Sequence, residues 1–324
     1  MVASVLGRGL DNLLDRCLSI GAGEQVVLLT DEGSDDQVVA GLVEGIGTRG
    51  AVPVVSRIPM PSLPGSEPPT TVAAMLPAAD AVIELTSVFI GSNRARRRAN
   101  EAGTRYVAMP GVRVRTFRDE GPLAVDFDRI RIDAEAVGAA WSAADRFRLT
   151  TPGGTDLTGS VGGRPGRVLH GLARTTGAYM APPDIEAGTA PVEGTATGVA
   201  VIDADLLFMG QGPLSHPVVL TVRDGEIVGI EGDEAGRLSE MLARCGDDRR
   251  MRNLAEVSMA FNPAGRVCDV PMETESALGT AHIALGNSIA YGGTVDAVAH
   301  LDCVMRDATL ELDGRPVMVA GRIL

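Results

Sequence analysis

His282, and His300 with Asp302 two positions beyond it, stand in the stretch GTAHIALGNSIAYGGTVDAVAHLDCVM. The chain has only four histidines, so two of them beside a carboxylate in one short window single that window out for chemistry. Residues two apart on a β-strand project from the same face, and VAHLDCVM is apolar and strand-like. His300 and Asp302 would then present an imidazole and a carboxylate side by side while Leu301 turns into packing, the geometry of a metal-ligand pair. With His282 they make a two-histidine, one-carboxylate set, which suits mononuclear Fe(II) with open positions.

Two further carboxylates could enlarge that set. Glu256, in NLAEVSMAFNP, lies in an otherwise apolar, strand-like segment. Burying an unpaired carboxylate there is costly, and a cation is the simplest compensation. Glu186, in PPDIEAGTAPVEG, has Pro- and Gly-rich flanks that suggest a loop, where exposed acids are routine. With both glutamates the set suffices for two divalent metals sharing a bridging carboxylate, an arrangement that activates water and polarises a carbonyl. Asp269, Glu273 and Glu275 lie in a segment read as a loop leading to His282. Each is a surface acid by default, and Glu275 becomes a candidate general base if that loop reaches the metals. Taken without the neighbouring His300 and Asp302, His282 reads first as a satisfied core histidine. His170 and His216, on turn-like segments beside Gly and Pro, read as structural.

Composition narrows the partners. A formal net charge of -13, with all 29 basic residues being Arg, disfavours nucleic acid and anionic membrane. The absence of Lys excludes Schiff-base chemistry and a Walker-type phosphate site. The one dense basic run, Arg94-Ala95-Arg96-Arg97-Arg98, reads as the solvated face of a helix, with an anion or partner contact as the alternative. Cys17, Cys245, Cys268 and Cys303 are scattered without CxxC spacing, as expected of reduced thiols in a cytoplasmic protein. No apolar run reaches the length of a membrane span. The GxG at Gly7–Gly9 follows no strand, so no dinucleotide site is expected.

The elements that must position these residues fall into two parts. Leu6, Leu10, Leu13, Leu14 and Cys17 approximate a helical stripe. EQVVLLT, SDDQVVAGLVEGIGTRG and AVPVVSRI then form a βαβ unit. A short helix near Thr71 to Ala79, a strand AVIELTSV, an Arg-rich helix from Asn93 and a strand RYVAM continue the alternation, which implies a parallel sheet with covered faces. An α/β domain is therefore expected over residues 1–130. A long Ala-rich helix from Phe127 to Phe147 leads into residues 131–324, an α+β, largely antiparallel domain that holds all the candidate chemistry. There PVVLTVRDGEIVGIEG and TLELDGRPVMVAGRIL read as hairpins closed by Asp-Gly, and one helix is expected within residues 233–253.

NLAEVSMAFNP, ETESALGTAHIALGNS and VAHLDCVM together resemble the C-terminal signature of the aminopeptidase T family of metallopeptidases. APPDIEAGTAPVEGTATG and TPGGTDLTGSV resemble further segments of it. The resemblance implies metal ligands at Glu186, Glu256, His282, His300 and Asp302, a catalytic glutamate at Glu275, and a homodimer. The family's tyrosine after the first histidine is not matched: Ile289 stands there, with Tyr291 a possible substitute, and Ser276 replaces a frequent lysine. The same fold includes 2,5-dihydroxypyridine 5,6-dioxygenase, a non-haem Fe(II) enzyme that resembles this chain in size and in its HxD pair. The leading expectation is thus a metal-dependent hydrolase resembling leucyl aminopeptidase, using Zn, Co or Mn on a small-molecule or short-peptide substrate. The alternative is an Fe(II) ring-cleaving dioxygenase.

Overall fold

The computed structural model describes residues 5–210, 212–246 and 248–324, and combines one parallel and two antiparallel sheets. The parallel sheet runs Val52–Arg57, Gln25–Thr30, Ala81–Glu84, Arg105–Ala108, Tyr179–Met180 in spatial order. Its crossover helix Asp36–Thr48 starts where Asp35 accepts hydrogen bonds from the Gln37 and Val38 amides, the N-cap that the acidic start of the segment prefigures. Leu6, Leu10, Leu13, Leu14 and Cys17 are all buried on the inner side of the first helical turns.

An eight-stranded antiparallel sheet is built largely from hairpins. In two of them Asp224-Gly225 and Asp313-Gly314 have positive φ at both positions, as a two-residue turn between right-twisted strands requires. The helix expected to reach Phe147 stops at Ala143. The Asp145 and Arg146 amides donate to the Asp313 carboxylate (3.2 and 2.9 Å), which draws the chain into the strand Arg146–Thr150 instead. Within 233–253 the structure has a helix Ala235–Arg244 and a 3-10 turn Arg249–Arg252, residue 247 lying outside the described residues. No helix among the described residues is long and apolar enough to cross a membrane.

A six-stranded antiparallel sheet carries the chemistry. Its order is Asp205–Leu206, His300–Met305, Ala281–Gly286, Leu254–Ala260, Glu186–Thr189, Arg167–Leu169. Helix Phe127–Ala143 packs beside the last two strands, where the Trp141 indole donates to the Ala187 carbonyl (3.2 Å).

Candidate metal centre

Strand register gathers the ligand candidates on one face. Ser258 lies opposite His282, which lies opposite Val304. Glu256 lies opposite Ala284, which lies opposite Asp302, while Gly286 faces His300 and Ala260 faces Glu186. Cross-strand partners in an antiparallel pair share a face, as do residues two apart. Glu186, Glu256, His282, His300 and Asp302 therefore all project to the same side. Small cross-strand partners, Ala260, Ala284 and Gly286, leave room between them.

Glu186 is the first residue of a strand paired on both sides and is buried, rather than sitting in the loop that its flanks suggest. The preceding turn is fixed by Asn262, whose amide donates to the carbonyls of Pro122 (2.9 Å) and Pro183 (2.8 Å). Glu275 likewise lies on a short helix, Pro271–Ser276. One donor atom each from Glu186, Glu275 and His282 falls within 4.8 Å of the others, and the same holds for Glu256, His300 and Asp302. Glu273 is buried and accepts from the Thr116 hydroxyl (2.6 Å), while Asp269 pairs with Arg115 (2.5 Å). Neither acid belongs to either group of donors. Cys303, beside Asp302 in sequence, is buried on the opposite face.

Glu256 divides its two oxygens between the histidines: Oε1 is 3.2 Å from His282 Nε2 and Oε2 is 2.9 Å from His300 Nε2. A second carboxylate crowds each nitrogen, Glu186 Oε2 at 3.1 Å from His282 and Asp302 Oδ1 at 3.2 Å from His300. A ring nitrogen carries at most one proton, so it can donate to only one of its two carboxylates. Accordingly Glu186 Oε2 and Asp302 Oδ1 are buried at ion-pair distance yet off any hydrogen-bond axis. The His300 Nδ1–H donates to the Asn287 carbonyl (2.6 Å), since a carbonyl can only accept, and this directs the Nε2 lone pair of the neutral ring into the cluster. Converging carboxylates with orphaned oxygens and an imidazole held in the ligating tautomer fit a divalent cation.

Without a cation, protons take up part of the charge. Burial pushes the Glu256 carboxyl up, but hydrogen bonds from His282 and His300 bring it down to about 2. Burial disfavours both imidazolium ions, yet the carboxylates beside them raise both histidines well above their ordinary value. Burial, reinforced by Asp302, raises Glu275 well above the carboxylate range.

Three residues complete the site that the candidate ligand set leaves out. The Tyr291 hydroxyl donates to Glu186 Oε1 (2.7 Å) and its ring stacks on His300, centroids 5.4 Å apart and planes 9° from parallel. Ile289, at the position where a family tyrosine is expected, points out and is 47% exposed. Asp184 is buried with an unpaired Oδ1, and burial followed by Glu186 and Glu275 raises its pKa well above the ordinary range. The third is Arg96. Arg94, Arg97 and Arg98 are exposed as the helical reading expects, but Arg96 turns inward over the Tyr179 ring.

These groups border a partly open cavity of about 70 Å³ lined by Phe89, Tyr179, Phe208, Tyr291, His300 and Asp302, among others. At about 10–15 Å³ for each water centre, that is room for roughly five to seven waters, the bulk of one substituted ring.

A mixed α/β fold with a buried carboxylate–histidine centre beside a small cavity defines a metal-dependent enzyme. The family model described as 2,5-dihydroxypyridine 5,6-dioxygenase matches residues 9–324, so the chain belongs to that family. No curated protein sequence matches it. Among solved structures it is similar to 2,5-dihydroxypyridine dioxygenase from Pseudomonas putida (TM-score 0.81, 19% identity, covering 100% of this chain and 98% of that one). It is also similar to AmpT from Thermus thermophilus (TM-score 0.71, 18% identity, 99% of each chain). At these identities the two likenesses establish the fold.

Proposed function

We propose that the chain is a ring-cleaving dioxygenase that opens a small hydroxylated aromatic or heteroaromatic ring with O2. The cavity carries this reading: it accommodates one planar ring, offers aromatic faces to it, and opens onto His300 and Asp302. The family match supports the same chemistry. His282, His300 and Asp302, with Glu256 between the imidazoles, would hold the metal. Fe(II) there would supply the Lewis acidity and one-electron chemistry that insertion of O2 into a ring requires. The Glu275 carboxyl accepts no hydrogen bond from the described residues and borders the cavity; a cation in the centre would offset the burial and the Asp302 charge that keep it protonated, leaving it ionised to take the proton of a ring hydroxyl. The Phe89, Tyr179 and Phe208 walls exclude bulk water from the reacting ring. Fe(II)-loaded protein given 2,5-dihydroxypyridine under ¹⁸O2 should form a ring-opened product carrying two labelled oxygens. An unlabelled product, or an intact ring, contradicts the reading.

One observation favours a second reading. Glu256 presents one oxygen to each histidine, as a carboxylate bridging two divalent ions would. A pair of Zn, Co or Mn ions would then supply an activated water for amide hydrolysis, with Glu275 passing the proton to the leaving amine. The two readings separate on metal stoichiometry.

A further inference from the structure

A run of stacked groups lines the cavity wall, starting at the metal centre. Tyr291 lies on His300. The Arg167 guanidinium sits 4.5 Å from the Tyr291 ring centroid and 5.9 Å from that of Tyr179. Arg96 sits 4.3 Å from the same Tyr179 centroid. All five side chains border one cavity. Two guanidiniums thus share one tyrosine ring on the wall of a small, partly open cavity.

Neither has an acidic partner. Among the described residues no carboxylate lies within ion-pair distance of Arg96 or Arg167, in a chain with 42 Asp and Glu. Other inward-facing arginines are neutralised: Arg105 by Glu24 (2.6 Å), Arg237 by Asp205 (3.2 Å) and Glu234 (3.1 Å). Glu84 lies within the field of Arg96, but its oxygens are taken by the Ile90 amide (2.8 Å) and the hydroxyls of Tyr106 (2.8 Å) and Thr86 (3.2 Å). The arginines are held by neutral acceptors alone, Arg167 by the Ala290 carbonyl (3.1 Å) and Arg96 by the Gly91 carbonyl (2.6 Å) and Asn100 Oδ1 (3.0 Å).

Burying two like charges close together costs free energy that an aromatic face offsets only in part. An anionic ligand supplies the missing counter-charge, and a planar carboxylate matches the guanidinium fork. Arg167 also helps balance the acid cluster, since its charge is felt at Glu186 and Glu256. Arg96 has no such acids among the groups that act on it most strongly, which after burial are Tyr179 and Arg167.

We propose that Arg96 and Arg167 form a carboxylate receptor, and that the substrate is a hydroxylated ring bearing a carboxylate, its hydroxyl at the metal and its carboxylate on the two arginines. The substrate class rests on the ring-cleavage reading above, whereas the receptor can be tested without turnover.

The test is calorimetric titration of the full chain under argon with 4-hydroxybenzoate and with phenol, a pair differing only in the carboxylate. The wild-type protein should bind 4-hydroxybenzoate at least about tenfold more tightly, the scale of one charge-assisted pair. Arg96→Gln and Arg167→Gln should each remove most of that preference, Arg96→Gln leaving phenol affinity within about twofold, and Arg96→Lys should restore part of it. Equal wild-type affinity for the two ligands overturns the proposal. So does a preference that survives both Gln substitutions, and circular dichroism identifies a variant that has not folded. The wild-type comparison decides even if no variant folds. A carboxylate preference without O2 uptake by iron-loaded protein sinks ring cleavage and keeps the receptor. O2 uptake with a phenolic ring but no carboxylate preference does the reverse.

Discussion

Tyr291 lies flat on His300 and donates its hydroxyl to Glu186, so one side chain touches a ligand candidate from each of the two donor groups. Tyr291→Phe keeps the ring and its stacking but frees Glu186 Oε1. Outer hydrogen bonds of this kind typically carry about ten- to hundredfold in metal affinity. Metal titration followed by calorimetry should show a loss near the lower end of that range, with unchanged folding by circular dichroism. An affinity equal to wild type would show that the hydroxyl does not orient Glu186.

Proton release should accompany metal binding. Neighbouring carboxylates hold His282 and His300 above their ordinary pKa, so both imidazoles carry protons in the metal-free protein that a cation must displace. Affinity should therefore rise as pH increases from 6 to 8. Titration in buffers of different ionisation enthalpy should give apparent enthalpies that vary linearly with the buffer value. A slope of zero would contradict the picture of protons standing in for the ion.

Glu84 is buried in the parallel sheet, and burial pushes its carboxyl up to about 7 despite three hydrogen bonds. Its folded pKa lies above the unfolded value, so its contribution is fully present below the unfolded pKa and lost as pH rises through about 7. Glu84→Gln retains an acceptor for the Ile90 amide, presents an N–H to the Tyr106 oxygen in place of the carboxylate that accepts from it, and carries no charge. Its stability relative to wild type should improve by roughly 3 kcal/mol between pH 4.5 and pH 8. Thermal melts at both pH values measure this, and a constant difference would refute the assignment.

Gly188 faces the cluster through Ser258, whose hydroxyl donates to Glu256 Oε1. A Cβ at residue 188 would lie 1.6 Å from Ser258 Oγ and 2.6 Å from the Val257 carbonyl oxygen. Gly188→Ala must displace backbone as well as side chain, at a cost of about 2 kcal/mol and a Tm lower by a few degrees. A melting temperature equal to wild type would mean that this pair of strands has slack.

Much of the centre was legible because it sits on strands. The two-residue spacing of His300 and Asp302 survives as a shared face, and the misfit of Glu256 in an apolar strand marks a buried charge. Glu186 was harder to place, because its strand is short and its flanks are turn-like. Tyr291, Asp184 and Arg96 were least legible. Tyr291 reaches Glu186 only because a 3-10 turn closed by Gly292, at φ +85, brings it back under the sheet. Arg96 looks like its exposed neighbours until the helix places it against Tyr179 of the last parallel strand. Long-range packing decides these positions, and local pattern does not encode them.

Metal content and oxygen consumption measured on one preparation test the central claim most directly. Protein purified and loaded without oxygen should hold one Fe per chain, consume O2 in a one-to-one ratio with 2,5-dihydroxypyridine or a carboxylated relative, and leave leucine p-nitroanilide intact. Two Zn, Co or Mn per chain with release of p-nitroaniline and no O2 uptake would contradict ring cleavage and make the centre a hydrolase.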